Sequence, residues 1–123
     1  MEENMDTPKI FESEYRFCEI LWENEPIGSG ELVELCAKRL GWKKSTTYTV
    51  IKRLTERGVV KSEKAVVTSL ISRAQVQEAE SQEIVSRSFS GSLPQFVAAF
   101  TRGRKLQPEE VEEIRRLIED YPD

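Results

Sequence analysis

The chain has 123 residues, with 18 Lys+Arg, 22 Asp+Glu, no His and two Cys, for a formal net charge of −4. That length allows one ordinary domain, or one small domain plus an appended element. Its 38% hydrophobic residues and six Gly fall just short of the ~45–50% usual for a self-contained core, which suits a chain that completes its core with a partner. Without His, the default general base and zinc ligand are missing. Cys18 and Cys36 alone build neither a disulfide framework nor a four-thiolate metal site. The longest apolar run is Phe96-Val97-Ala98-Ala99-Phe100, too short to span a bilayer, and the acid-rich start has no signal-peptide pattern. The expectation is a reduced, cytoplasmic protein with no metal, no cofactor and no membrane partner.

Residues 1–9 are polar and read as a loose start. From Phe11 the residues Phe11, Tyr15, Cys18, Leu21 and Trp22 recur at three- and four-residue steps, a helical stripe that Asn24-Glu25-Pro26 ends. A second helix opens at Gly28-Ser29-Gly30-Glu31, with Gly28 or Ser29 as N-cap. Its stripe is Leu32, Val33, Cys36 and Leu40; Gly41 ends it, and Trp42 is placed to fold back on the last turn. A third helix starts near Lys43-Lys44-Ser45 and ends at Gly58. Val50, Ile51 and Leu54 form its apolar side, and Lys44, Thr46, Tyr48, Thr49, Lys52 and Arg53 its polar side. Val59-Val60-Lys61 and Val66 to Ile71, around Ser62-Glu63-Lys64-Ala65, read as a hairpin. Its turn lacks the usual Asn-Gly.

The order helix, helix, helix, hairpin is that of a winged helix-turn-helix; the competing reading is a plain three-helix bundle with a valine-rich loop. Ser72-Arg73-Ala74-Gln75 is a capping box opening a fourth helix to about Phe89. Leu93, Phe96, Val97 and Phe100 form a short apolar helix after Ser92, and Val111, Ile114, Ile118 and Tyr121 form another after Pro108. Three one-faced helices with no sheet cannot bury those faces as an isolated arm. They pack back on the first domain or against a second copy, and the second copy is the favoured reading. The fold class is therefore mainly α with a small β-hairpin: a winged-helix DNA-binding domain over 1–72 and a helical dimerisation domain over 73–123. Phe89, Leu93, Phe96, Val97, Phe100, Val111, Ile114 and Ile118 are the dimerisation residues.

The net charge averages two opposite regions. Residues 38–64 hold nine basic side chains against Glu56 and Glu63, or +7, and the remainder carries −11. A +7 segment inside an acidic protein is a candidate phosphate-binding surface; it is also compatible with a solvated helix face balanced by acids elsewhere. Two local readings stay open beside it: an ion pair from Arg53 to an acid of the first helix, and ordinary surface packing of Tyr48.

The segment Glu14 to Ile71 resembles the penicillinase-repressor family of bacterial winged-helix repressors. The carrying residues are Glu14-Tyr15, Ile20-Leu21-Trp22-Glu23, Gly28 to Val33, then Trp42, Thr46, Thr49, Arg53-Leu54 and Gly58. Gly91-Ser92-Leu93, Phe96 to Phe100 and Leu106 to Ile118 continue the match. The resemblance implies a homodimeric repressor on double-stranded operator DNA, its third helix in the major groove, with a sensor or antirepressor protein as a further partner. Carried over by position, Ser45, Thr46, Tyr48 and Thr49 face bases or nearby phosphates. Lys43, Lys44, Lys52 and Arg53 face or flank DNA, and Lys61 and Lys64 lie in the wing.

The chain departs from the family in three places. Lys43-Lys44-Ser45 replaces a common Ser-Pro-Lys, the wing lacks an aromatic, basic pattern, and Ala99-Phe100 stands where β-lactam-responsive relatives are cleaved at Asn-Phe. The competing function is a protein-interaction module whose basic face docks an acidic partner. Cys18 and Cys36 read as buried fillers, Glu112/Arg116 as an intrahelical pair, and no residue pattern suggests an enzyme.

Overall fold

The computed structural model describes residues 7–122. Six helices and three strands follow in the order α1 (Glu12–Asn24), β1 (Ile27–Gly28), α2 (Ser29–Leu40), α3 (Lys44–Glu56), β2 (Val60–Glu63), β3 (Val66–Ser69), α4 (Arg73–Phe89), α5 (Leu93–Arg102) and α6 (Pro108–Glu119). The chain divides into two compact units, Met1–Ser81 and Gln82–Asp123, and the division falls inside α4.

In the first unit α1, α2 and α3 enclose a core of Phe17, Cys18, Ile20, Leu21, Leu32, Cys36, Val50, Ile51 and Leu54, closed by Val59, Val60 and Val67 of the sheet and by Val76 of α4. The helix ends follow local chemistry. Gly41, at φ 71, ends α2 in the left-handed conformation that an unbranched backbone adopts without Cβ strain. The Trp42 N–H then returns to the Cys36 carbonyl at 3.3 Å, and its ring stacks on Phe17 with centroids 6.1 Å apart. The sheet order is β1-β3-β2. β2 and β3 pair antiparallel from Val60↔Ser69 to Glu63↔Val66, so Lys64 and Ala65 form a two-residue turn. Both have positive φ, 52° and 62°, the backbone of a tight hairpin matched to strand twist.

One expectation is extended and one corrected. The hairpin is present but is extended to a three-stranded sheet, because Ile27 and Gly28 pair with Val67 and Val66. A two-residue strand leaves no periodicity to read. Phe11 is not part of the α1 core stripe. It is the N-cap residue and 54% exposed, its ring lying 5.4 Å from the Lys9 ammonium and 5.6 Å from the Arg57 guanidinium. Phe17 and Ile20 fill the core in its place.

In the second unit Ser92 caps α5 by accepting the Gln95 N–H at 3.2 Å, and Pro108 opens α6. The rings of Phe89 and Phe96 meet edge-to-face at 5.5 Å, and Phe100 stacks beyond Phe96 at 6.2 Å. No residue of α5 or α6 is buried. Leu93, Val97, Phe100, Val111, Ile114, Leu117, Ile118 and Tyr121 are all exposed.

Candidate nucleic-acid interface

The face of α3 is set by its 3.6-residue period. Thr47, Val50, Ile51 and Leu54 turn inward and are buried. That rotation brings Lys44, Ser45, Thr46, Tyr48, Thr49, Lys52 and Arg53 to the surface together, with Lys43 exposed just before the helix. Thr47 interrupts this run because it is fully buried and its hydroxyl serves the helix's own start, donating to the Lys43 carbonyl at 3.5 Å. The exposed row therefore offers hydroxyl groups for base edges and cations for phosphates on one surface. Glu56, at the end of α3, is also exposed and carries the opposite charge.

Tyr48 reaches sideways, its hydroxyl 3.4 Å from Ser29 Oγ at the first turn of α2. The Ser29 N–H in turn donates to the Ala65 carbonyl at 2.8 Å, so the wing tip is tied to α2 beside α3. In the wing Lys61 is paired with Glu63 at 3.7 Å. Lys64, at the turn, is exposed and takes part in none of the ion pairs among the described residues. The same holds for Lys43, Lys44, Lys52 and Arg53.

The +7 segment is thus partitioned. Arg39 pairs with Glu23 at 3.2 Å and Lys61 with Glu63. The long-range partner of the α1 acid Glu14 is Arg57, not Arg53: the guanidinium donates to Glu14 Oε1 and Oε2 at 2.6 and 3.1 Å and to the Lys9 carbonyl at 2.8 Å. Glu14 Oε1 also accepts the Phe11 N–H at 3.0 Å. Burial pushes the Glu14 carboxyl up, but hydrogen bonds from Arg57 and the Phe11 N–H, with the Arg57 charge, outweigh it and leave its pKa below the ordinary 4.5. The same pairing raises Arg57. Sequence reasoning missed this pair because its members lie 43 residues apart and neither breaks a local pattern.

Both cysteines are fully buried. Desolvation first, then the Glu14 charge, pushes the Cys18 thiol up to about 12; burial raises Cys36 as well. Neither is poised as a nucleophile or ligand. Among the described residues no cluster of His, Cys, Asp or Glu could hold a metal ion, and no helix is long and apolar enough to cross a membrane.

Three helices followed by a wing, with the third helix presenting a basic, hydroxyl-rich surface, make a winged helix-turn-helix of the kind that binds nucleic acid. The chain belongs to the penicillinase repressor family, whose model matches residues 10–120. Among curated proteins it is similar to an uncharacterized 16.5 kDa protein in the ptsI 3' region of Latilactobacillus sakei, 25% identical over 117 residues, 92% of this chain and 80% of that one. Among solved structures it is similar to Bacillus licheniformis BlaI, in the monomeric form in complex with the blaP half-operator. That match has 24% identity and a TM-score of 0.49, covering 55% of this chain and 88% of that one.

Proposed function

We propose that the chain represses transcription as a homodimer on a pseudo-palindromic operator, each α3 reading one half-site. The observation that carries the reading is the exposed row Lys44, Ser45, Thr46, Tyr48, Thr49, Lys52 and Arg53 above a fully buried Thr47. Ser45, Thr46 and Thr49 supply donors, acceptors and methyl groups for base edges. Lys43, Lys44, Lys52, Arg53 and Lys64 supply phosphate contacts that dominate affinity and carry no sequence information. Lys61, held by Glu63, contributes less. The uncovered faces of α5 and α6 support the dimer: packing Leu93, Phe96, Val97, Phe100, Val111, Ile114 and Ile118 against a second copy, with Phe89 at the end of α4, gives the second unit the core it lacks on its own. The described unit boundary at 81/82 differs from a functional boundary at 72/73, and we assign the start of α4 to the DNA-binding part by contact and to the arm by continuity.

The test is binding to a duplex selected by the native chain from a random-sequence pool. With five cations per protomer engaged, log K should fall against log salt with a slope of about −4.5 per half-site. Thr49→Ala should weaken the selected site by about tenfold while leaving random duplex nearly unchanged, and Lys44→Ala should weaken both. Absence of binding at low salt would remove the reading.

A further inference from the structure

The segment that joins the wing to α4 is fastened at every step rather than built as a linker. Trp22 Nε1 donates to the Ile71 carbonyl at 2.9 Å. Ser72 and Gln75 bond reciprocally, the Ser72 N–H to Gln75 Oε1 at 2.9 Å and the Gln75 N–H to Ser72 Oγ at 3.1 Å. The Arg73 guanidinium lies over the Trp22 ring at 5.4 Å and faces Glu23 at 3.7 Å, the same carboxylate that pairs with Arg39 of α2. Val76, one turn on, is buried in the core at 2% exposure. Just upstream, Glu25 accepts the Ser69 N–H at 2.6 Å and the Ser69 hydroxyl at 2.9 Å.

We propose that residues 71–76 are a rigid coupling that fixes the direction in which α4 leaves the DNA-binding unit, with Arg73 and Val76 as positioning residues that set the half-site spacing the protein accepts. No group in this segment needs to touch DNA. Each base pair inserted between half-sites rotates one of them by about 34° around the helix axis. A dimer whose α4 helices start at a fixed angle cannot follow that rotation without losing one of its two contacts. The second contact is intramolecular, so its strength depends on geometry and not on any new interaction. The inference rests on the dimeric reading above.

The experiment uses the full chain and the inverted-repeat duplex that the native chain selects. Its spacer is varied from two base pairs shorter to two longer, with a duplex carrying one half-site as reference. The native chain should bind one spacing and lose about tenfold or more on a two-base-pair shift. Arg73→Ala/Val76→Ala should keep the single half-site affinity, lose about tenfold on the preferred spacing and show a flattened spacing profile. Two glycines inserted between Val76 and Gln77, beyond the docked residues, should do the same by uncoupling the rest of α4 from them, and Arg73→Lys should lie between.

A sharp profile retained by the glycine insertion overturns the proposal. So does a loss on the single half-site equal to that on the full site, which would make Arg73 and Val76 supports of the recognition unit alone. If the native chain selects no inverted repeat, the dimeric reading fails instead, a different result from either.

Discussion

Replacing Arg57 by alanine should make the stability of the DNA-binding unit respond to mild acid through Glu14. In the native chain Glu14 is 5% exposed and Arg57 33% exposed at the side chain. Removing one member of a buried pair costs about 3–5 kcal/mol. Solvent reaches a third of Arg57 and screens part of that, so a loss of about 2–3 kcal/mol is expected. In urea this lowers the midpoint by about 1–2 M. Trp22 and Trp42 both lie in Met1–Ser81, so their fluorescence reports this unit.

The sign of the pH response follows from which influence on Glu14 is removed. Natively its pKa lies below 4.5, so its stabilisation is complete above that value and is lost only as the pH falls through the folded pKa. Between pH 5 and 7 Glu14 then contributes no slope. Without Arg57 its hydrogen bond and charge are gone and burial is the largest influence left, so the folded pKa moves up relative to the native chain, and an upward-shifted carboxyl favours the folded state at lower pH and loses that contribution as the pH rises. Arg57→Ala should therefore be more stable at pH 5 than at pH 7, relative to the native chain. Glu14→Gln added to Arg57→Ala should abolish the difference. Equal pH 5 and pH 7 shifts for Arg57→Ala and the double variant would refute the assignment.

Other consequences are checked more simply. Ala65→Gly should stabilise the first unit by about 0.5 kcal/mol, seen as a slightly higher urea midpoint, because Ala65 sits at φ 62°, where Cβ costs ~1–2 kcal/mol and glycine's greater unfolded-state entropy offsets only part of the relief; a loss of stability would contradict the turn geometry. Cys18 and Cys36 should stay silent to a thiol reagent at pH 8 and react only as urea unfolds the first unit, since burial holds both thiols protonated. If α5 and α6 form the proposed dimer interface, Ile118→Glu should sediment as single chains where the native chain sediments as a dimer, while leaving the tryptophan midpoint at low concentration unchanged; a dimer that persists would place the interface elsewhere.

The parts of the fold that came through in the sequence are those governed by neighbours three or four residues away. The α3 face is the clearest: Val50, Ile51 and Leu54 mark the interior, and Lys44, Thr46, Tyr48, Thr49, Lys52 and Arg53 emerge exposed. Gly41 as the end of α2, the Ser72/Gln75 box and Ser92 as a cap are equally local. What stayed hidden depends on residues far apart in the chain. Phe11 fits the α1 spacing, yet the cations of Lys9 and Arg57 cover its ring in place of the core. Arg57 counts as one more charge of the basic segment until Glu14 arrives 43 residues away. The Lys64-Ala65 turn has no glycine to announce its positive φ, and β1 exists only because β3 has an open edge beside it.

The same distinction bears on how charge is used. Composition alone, at −4, argues against a polyanion as partner. The fold resolves the contradiction by assigning the basic residues different work. Arg39, Arg57 and Lys61 lie opposite carboxylates, and two of those three pairs join α1 to a later element. Lys43, Lys44, Lys52, Arg53 and Lys64 take part in no such pair among the described residues. Ion pairing of the first set stabilises the scaffold without adding to the field that DNA would meet. Leaving the second set uncompensated concentrates that field on one helix and one turn, where counterion release can act on it. Recognition by this unit thus depends less on how many cations the segment holds than on which of them α1 has already neutralised.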